Sequence, residues 1–207
     1  MCASVSNNDT VHAAVVLAHP RADSYAHALA QRAVDGLQAA GHRVDIIDLY
    51  ADGFRAAMSE AEQEAYRGNQ PILDPLVQTS ADLVRNVDAL IFVYPTWWSG
   101  LPAILKGWME RVMVPGVGFT FDERTGKVRP GLTNVRHLIG ISTYGSPKSI
   151  VRVVNDNGRR TIMRALRLSC GFGVRTHWHG LYAIDTSTVG QRAEFAAHIE
   201  RSMTNLR

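Results

Sequence analysis

Short apolar stretches alternate along the chain with longer segments whose apolar residues recur at helical spacing. Near the amino terminus, residues 11–18 are almost continuously apolar, and residues 25–40 repeat apolar positions every three or four residues before Gly41. The first pattern is typical of a central strand buried on both faces, and the second of a helix that covers one of those faces. The pattern therefore predicts a strand followed by a helix.

The same alternation continues to the end of the chain. The predicted strands are residues 11–18, 44–49, 89–94, 137–142 and 174–183. The predicted helices are residues 25–40, 59–66, 75–86, one with Pro102 near its first turn, 158–169, and a last helix that begins at Ser187 or Thr188. Residues 119–128 are expected to form a hairpin. Five strands joined by helices favour an α/β fold with a doubly wound parallel sheet of order 2-1-3-4-5 and helices on both faces.

The composition fits one folded domain. The chain has 207 residues, of which 46% are hydrophobic and 20% charged, so a sizeable core can be buried. We expect a single domain over residues 11–207 and a disordered arm over residues 1–10, which are polar and do not read as a signal peptide. Because only Cys2 and Cys170 are present and no apolar stretch could cross a bilayer, we expect a cytoplasmic protein without membrane association.

The chain is mildly basic, with a net charge of +3. Six of its cationic residues lie close together in sequence: Lys148, Arg152, Arg159, Arg160, Arg164 and Arg167. Exposed aromatic residues do not alternate with them, which argues against nucleic-acid binding. The cluster could be a solvated helix face, or it could attract a phosphate-bearing cofactor, and the sequence leaves both explanations open.

Three loops at strand ends carry the candidate chemistry, because ligands of doubly wound sheets bind at the carboxyl ends of the strands. Residues 19–24 lead into the first helix, whose amino end can bind an anion with help from His19, Arg21 and Ser24. Ser24 could equally be the N-cap of an ordinary helix, and the sequence does not decide between the two interpretations.

The second and third loops contain residues suited to a flat ligand. Trp97 and Trp98 lie between two prolines directly after the third strand. They suit either a planar heteroaromatic ring or a subunit interface. Residues 142–147 contain small hydroxyl side chains and Gly145, which permit a ligand to approach the backbone closely. A structural turn would use the same residue types, so this loop gains weight only with the other two.

At these loops the sequence resembles the NAD(P)H:quinone oxidoreductase (DT-diaphorase-like) family. Residues 94–111 read YPTWWSGLPAILKGWMER, and residues 18–30 read AHPRADSYAHALA. The resemblance implies a flavodoxin-like fold and a homodimer with the flavin site at its interface. It also implies FAD rather than FMN as cofactor, NAD(P)H as reductant, and a hydride passed through the flavin to quinone-like acceptors by a ping-pong mechanism.

The resemblance also implies the site residues. It assigns the phosphate end of the flavin to His19, Ser24 and Tyr25, and the charge of Arg21 in the same loop adds this residue to the cofactor site. It assigns the ring to Pro95, Thr96, Trp97 and Trp98, to which the turn backbone adds Ser99, and the other edge of the ring to Ser142, Thr143, Tyr144 and Gly145. Phe119 and Phe121 are expected to reach the partner subunit's pocket.

The chain departs from the family where animal members place a Tyr and a His for proton transfer. Ile150 and Asp156 fall there instead, so that relay is not carried over, and Tyr144 and Trp98 remain as the candidate catalytic residues. His177 and His179 alternate along the fifth strand, but without an obvious further ligand we expect no metal. A flavin-binding electron carrier or regulatory subunit without quinone turnover is the alternative function.

Overall fold

A five-stranded parallel sheet forms the centre of the fold. The computed structural model describes residues 10–68 and 70–207, so the expected arm over residues 1–10, including Cys2, lies outside the described residues except for Thr10. In chain order the strands are β1 (His12–Leu17), β2 (Arg43–Asp48), β3 (Ala89–Pro95), β4 (Phe119–Phe121), β5 (Val128–Pro130), β6 (His137–Thr143) and β7 (Arg175–Leu181). The parallel sheet has the order β2-β1-β3-β6-β7, while β4 and β5 form a separate antiparallel pair. The predicted fold class and strand order are confirmed.

Helices cover both faces of the sheet. In chain order they are α1 (Tyr25–Ala39), α2 (Glu60–Ala65), α3 (Pro75–Val84), α4 (Ala103–Val112), α5 (Lys148–Val153), α6 (Asn157–Arg160), α7 (Arg167–Cys170) and α8 (Val189–Thr204). A π-helical segment (Thr161–Leu166) joins α6 to α7, and a 3₁₀ turn (Ile184–Thr186) precedes α8. One apolar cluster packs α1 and α8 against the sheet, and a second packs α3, α4 and the 161–170 segment on the other face.

Up to β6, the strands and helices form close to where the apolar pattern predicts them. Central strands β3 and β6 are buried along almost their whole length, which accounts for their continuous apolar sequences. Pro102 immediately precedes α4, where its missing N–H removes no helical hydrogen bond. Cys170 is buried in the core like a small apolar residue, and burial raises its pKa to about 12.

The region after β6 is more broken than predicted. One helix over residues 158–169 is expected, whereas the structure has α5 first and then a second helical stretch with a π-helical centre. Asn155 and Asp156 separate the two because both have a left-handed backbone, with φ of 70° and 41°. Asn and Asp tolerate this conformation better than most other residues. No helix in the described part of the chain combines the length and apolar character needed to cross a bilayer.

Candidate active site

The three predicted loops meet at the carboxyl edge of the sheet. Parallel pairing aligns Leu17 of β1 with Val93 of β3, and Pro95 of β3 with Thr143 of β6. The amide of Thr96 donates a hydrogen bond to the carbonyl of Thr143 at 2.8 Å, and the Thr96 and Ser142 hydroxyls lie 2.9 Å apart. The register of the strands therefore brings the sequence-predicted residues of all three loops to one place.

The second loop is a tight two-residue turn with strained backbone. The amide of Trp97 donates to the carbonyl of Gly100, and the amide of Gly100 donates back to Trp97, at 3.2 and 3.0 Å. The two residues between them, Trp98 and Ser99, both have a positive φ, of 48° and 59°. Such a conformation costs roughly 1 kcal/mol or more per non-glycine residue and is concentrated at functional sites. Because of the turn, the Trp98 side chain is fully exposed above the sheet edge.

The first loop combines a helix cap with a chain of polar contacts. Ser24 is the N-cap of α1 and accepts a hydrogen bond from the amide of His27. The Ser24 hydroxyl also lies 2.9 Å from Nδ1 of His27, whose Nε2 lies 3.0 Å from Asp48 at the end of β2. His27 and Asp48 were not predicted as site residues. The only signal in the sequence was the position of His27 three residues after Ser24, which places these two side chains on the same side of the helix.

The remaining residues of the first loop differ in their exposure and in their contacts. The ring of His19 lies 5.9 Å from that of Trp97, so the first two loops are in contact, and burial lowers the pKa of His19. Arg21 is exposed and pairs with Asp23 at 2.8 Å. The hydroxyl of Tyr25 donates to the backbone carbonyl of Arg192 at 2.6 Å, which ties α1 to α8.

The third loop contributes a buried tyrosine. The hydroxyl of Tyr144 donates to the carboxylate of Asp156 at 3.0 Å, and its ring stacks on Tyr182 with centroids 4.5 Å apart. Burial raises the pKa of Tyr144, and the nearby charge of Asp156 raises it further. Asp156 also lies close enough to the buried hydroxyl of Tyr94 to contribute to the raised pKa of that residue, after burial. The carboxylate of Asp156 thus accepts a hydrogen bond from one phenol and lies close to a second, and both phenols keep their protons at neutral pH.

A cavity of about 340 Å³ lies between the second and third loops. Its walls include Thr96, Trp98, Ser99, Tyr144, Gly145, Ser146, Ile150 and Asp156. Among the described residues, the backbone amides of Trp98, Ser99, Gly145 and Ser146 donate no hydrogen bond to the protein. An exposed aromatic side chain with free amides beside it fits a planar ring that has carbonyl and ring-nitrogen acceptors along its edge.

The other candidate residues lie away from this cavity. Phe119 and Phe121 pack edge to face at 5.6 Å on the β4–β5 hairpin, where Phe121 is mostly exposed. His177 stacks on His137, whereas Nδ1 of His179 lies 3.1 Å from Nε2 of His198. Within the described residues, no group of three or more His, Cys, Asp or Glu side chains is arranged to hold a metal ion.

Comparisons with known proteins agree with this fold. A family model described as a flavodoxin-like fold matches residues 12–204. NAD(P)H dehydrogenase [quinone] 1 of Cavia porcellus is 33% identical over 149 residues, which cover 65% of this chain and 54% of that protein. Ribosyldihydronicotinamide dehydrogenase [quinone] of Homo sapiens is 32% identical over 180 residues, or 77% of each chain. The chain spans about half the length of the first of these relatives.

Solved structures share the fold over nearly the whole chain. The NAD(P)H:quinone oxidoreductase from Methanothermobacter marburgensis superposes with a TM-score of 0.81 at 24% identity, covering 96% of this chain and 100% of that one. An FMN-dependent NADH-azoreductase from Bacillus anthracis, in complex with FMN, gives a TM-score of 0.73 at 16% identity, covering 95% and 99%. At these identities the likeness concerns the fold alone.

Proposed function

Because this chain belongs to the flavodoxin-like family that includes the quinone-reducing NAD(P)H and ribosyldihydronicotinamide dehydrogenases, we propose that it is a flavin-dependent NAD(P)H oxidoreductase that reduces quinones or similar small acceptors. The overall reaction converts NAD(P)H, a proton and a quinone into NAD(P)+ and a hydroquinone. One observation carries the proposal: the second and third loops line one cavity, with an exposed tryptophan, unbonded backbone amides and a buried tyrosine in its walls, and the first loop contacts the second beside it.

The residues that would hold the flavin are those assigned from the sequence. The phosphate end belongs at the amino end of α1, where the helix dipole and the N-cap of Ser24 favour an anion, with His19, Arg21 and Tyr25 beside it. The ring belongs at Pro95, Thr96, Trp97, Trp98 and Ser99, with Ser142, Thr143, Tyr144 and Gly145 along its other edge. When bound, the flavin supplies the hydride-transfer chemistry that no protein side chain provides.

We favour FMN over the FAD that the sequence resemblance implies. Two neighbours in fold, the Bacillus anthracis azoreductase and general stress protein 14 of Treponema denticola, are described as complexes with FMN. The anion site at α1 accounts for the single phosphate of FMN. Mass spectrometry of the cofactor released from the purified protein distinguishes FMN from FAD.

Tyr144 and Asp156 are proposed to manage the proton that accompanies the hydride. Tyr144 keeps its hydrogen because its pKa is raised, and it lies in the wall of the cavity where an acceptor would bind. Asp156 orients the Tyr144 hydroxyl through the 3.0 Å hydrogen bond. Trp98 is proposed to pack against the bound ring or acceptor. Because one cavity serves both the reductant and the acceptor, we expect ping-pong kinetics.

A homodimer is part of the proposal. The Phe119–Phe121 pair protrudes on a hairpin that is separate from the main sheet, and the exposed Phe121 offers an apolar surface to a second copy of the chain. These two side chains are proposed to close the partner subunit's pocket. Analytical ultracentrifugation of the wild type and of Phe121→Ser tests the association, which we expect the substitution to weaken.

The central experiment is a cofactor and turnover measurement on one preparation. We expect a yellow protein with bound flavin that oxidises NADH or NADPH in the presence of menadione. A colourless protein that takes up neither FMN nor FAD overturns the proposal. A flavin-loaded protein without turnover points to the electron carrier or regulatory subunit instead.

A further inference from the structure

A second cavity, of about 480 Å³, adjoins the candidate active site and is lined by cationic side chains. Six of the residues in its wall are Lys148, Arg152, Arg159, Arg160, Arg164 and Arg167, which together we call the arginine groove. Val151 and Asp156 belong to the walls of both cavities, so the groove opens next to the space assigned to the redox ring.

The charge of the protein is concentrated in this groove. Residues 148–170 contain six cationic residues and one acidic residue, Asp156, a net charge of +5. The whole chain carries +3, so all other residues together carry −2. A solvated helix face normally alternates charges of both signs at spacings of three and four residues, and this segment does not. A solvated helix face therefore does not explain why the positive charge is concentrated in this segment.

The groove cations also lack partners within the protein. None of the six forms an ion pair with a carboxylate in the part of the chain that the structure describes, whereas nine other arginines and lysines do. Like charges that face one another across a concave surface repel, and a bound polyanion would relieve that repulsion. Arg159 is held over the ring of Trp178 at 5.8 Å, and Lys148 lies over Tyr182 at 5.7 Å. Two of the six cations are thus anchored on aromatic rings.

We propose that the arginine groove binds the phosphate groups of the reductant, and that it makes this protein selective for phosphate-bearing dinucleotides, NADPH above NADH, over phosphate-free dihydronicotinamides. This inference rests on the proposed function and concerns the choice of reductant at that site. The Cavia porcellus and Homo sapiens relatives are named for these two kinds of reductant, NAD(P)H and ribosyldihydronicotinamide. The diphosphate is common to NADH and NADPH, while the additional phosphate of NADPH carries about −1.5 to −2 charges.

The test compares three reductants with menadione as the acceptor: NADPH, NADH and N-ribosyldihydronicotinamide, which has no phosphate. In Arg160→Gln/Arg164→Gln we expect the KM for NADPH to rise about tenfold and that for NADH about threefold, since two partly exposed charge contacts are lost. The kcat values and the KM for the phosphate-free reductant should stay within about twofold, because the groove does not touch the reacting ring.

The matched control is Arg43→Gln/Arg136→Gln. It also removes two positive charges, one at the start of β2 and one directly before β6. Both positions lie at the amino ends of the strands, opposite the candidate active site. The flavin content per protein reports on the folding of both variants. A KM for NADPH that rises equally in the two variants, or a KM for the phosphate-free reductant that rises with the others, overturns the inference.

The wild type provides a second measurement that needs no variant. Raising the ionic strength should increase the KM for NADPH and leave that for the phosphate-free reductant unchanged, because salt screens exposed charges. An equal salt dependence of the KM values for NADPH and for the phosphate-free reductant contradicts the proposed role of the arginine groove. Flavin-loaded wild type that oxidises none of the three reductants contradicts the proposed function itself. Oxidation of the phosphate-free compound alone overturns only the inference about the groove.

Discussion

The geometry of the candidate site depends on the backbone conformation and contacts of single residues more than on which residue types the site contains. Trp98 and Ser99 are held in a left-handed backbone by two hydrogen bonds between Trp97 and Gly100. Tyr144 depends on Asp156, a residue twelve positions later whose own φ is 41°. The sequence was enough to predict which polar and aromatic residues the candidate site contains. These backbone conformations were not predictable, because neither Trp nor Ser signals a positive φ.

Replacing Tyr144 tests the proposed proton donor. Tyr144→Phe keeps the ring stacked on Tyr182 and removes the hydroxyl, so we expect kcat for menadione reduction to fall about 10- to 100-fold while flavin binding is kept. Tyr182→Phe is the matched control and should retain most of the activity. Steady-state kinetics with a pH profile measures both variants, and unchanged kcat in Tyr144→Phe removes this residue from the catalytic role.

Replacing Ser99 measures the strain of the turn. Ser99→Gly removes the Cβ at a φ of 59°, so we expect the free energy of unfolding to rise by roughly 0.5–1 kcal/mol. Ser149→Gly is the contrasting control in the exposed part of α5, where a glycine should lower stability by a similar amount. Urea denaturation gives both values. If Ser99→Gly is the less stable of the two, the turn is not strained.

At the scale of elements, a buried ion network holds the helices on one face of the sheet. Arg111 of α4 is almost fully buried and donates to Glu62 of α2 at 2.8 and 2.6 Å and to Asp74, the N-cap of α3, at 2.8 Å. The pKa of Glu62 is lowered because hydrogen bonds from Ser59 and Arg111 outweigh the effect of burial. The network joins three elements around the helix that follows the Trp98 turn.

Breaking this network should destabilise the fold strongly. Arg111→Met leaves Glu62 and Asp74 without their common partner, so we expect a loss of about 3–5 kcal/mol in the free energy of unfolding. Arg32→Met, which removes the exposed pair with Glu200, is the control and should cost less than about 1 kcal/mol. Chemical denaturation compares the two, and equal losses would show that burial gives Arg111 no special weight.

The sequence predicted the elements better than the contacts between them. Strands such as β3 were predictable because a strand buried on both faces has to be continuously apolar. The acidic segment at residues 59–66 was predicted as a helix, but nothing local marked Glu62 as the partner of Arg111, which is 49 positions away. Helix α5 was not predicted, because it is only six residues long and begins after Pro147 without a side-chain cap.

At the scale of the whole molecule, two histidines are built into the fold in their neutral form. Burial lowers the pKa of His137 to about 4, with a further contribution from the charge of Arg175. Burial also lowers the pKa of His179 to about 4, and His198 adds to the effect. His137 begins β6 and His179 lies in the edge strand β7, so both belong to the packing of the sheet rather than to the cavity.

These histidines predict a loss of stability in mild acid. Their pKa is lower in the folded chain than the value of about 6.5 expected in the unfolded chain, so the unfolded chain binds more protons in between. The stabilisation is complete above pH ~6.5 and is lost as the pH falls toward 4, by up to about 3 kcal/mol for each histidine. Denaturation at a series of pH values, at constant flavin loading, should show this slope, and His137→Gln/His179→Gln should flatten it. Constant stability of the wild type from pH ~6.5 to 5 contradicts the assignment.

The self-contained turn at Trp98 and Ser99 has a consequence for how this protein could diversify. Its two backbone hydrogen bonds lie outside the ladder of the main sheet, and the Trp98 side chain contributes nothing to the core. Under the proposed function, exchange of that one side chain would therefore alter which acceptors fit without disturbing folding. The left-handed backbone restricts the exchange, since β-branched residues are costly there. Directed evolution of acceptor range should accordingly accumulate unbranched replacements at position 98 and leave the rest of the scaffold intact.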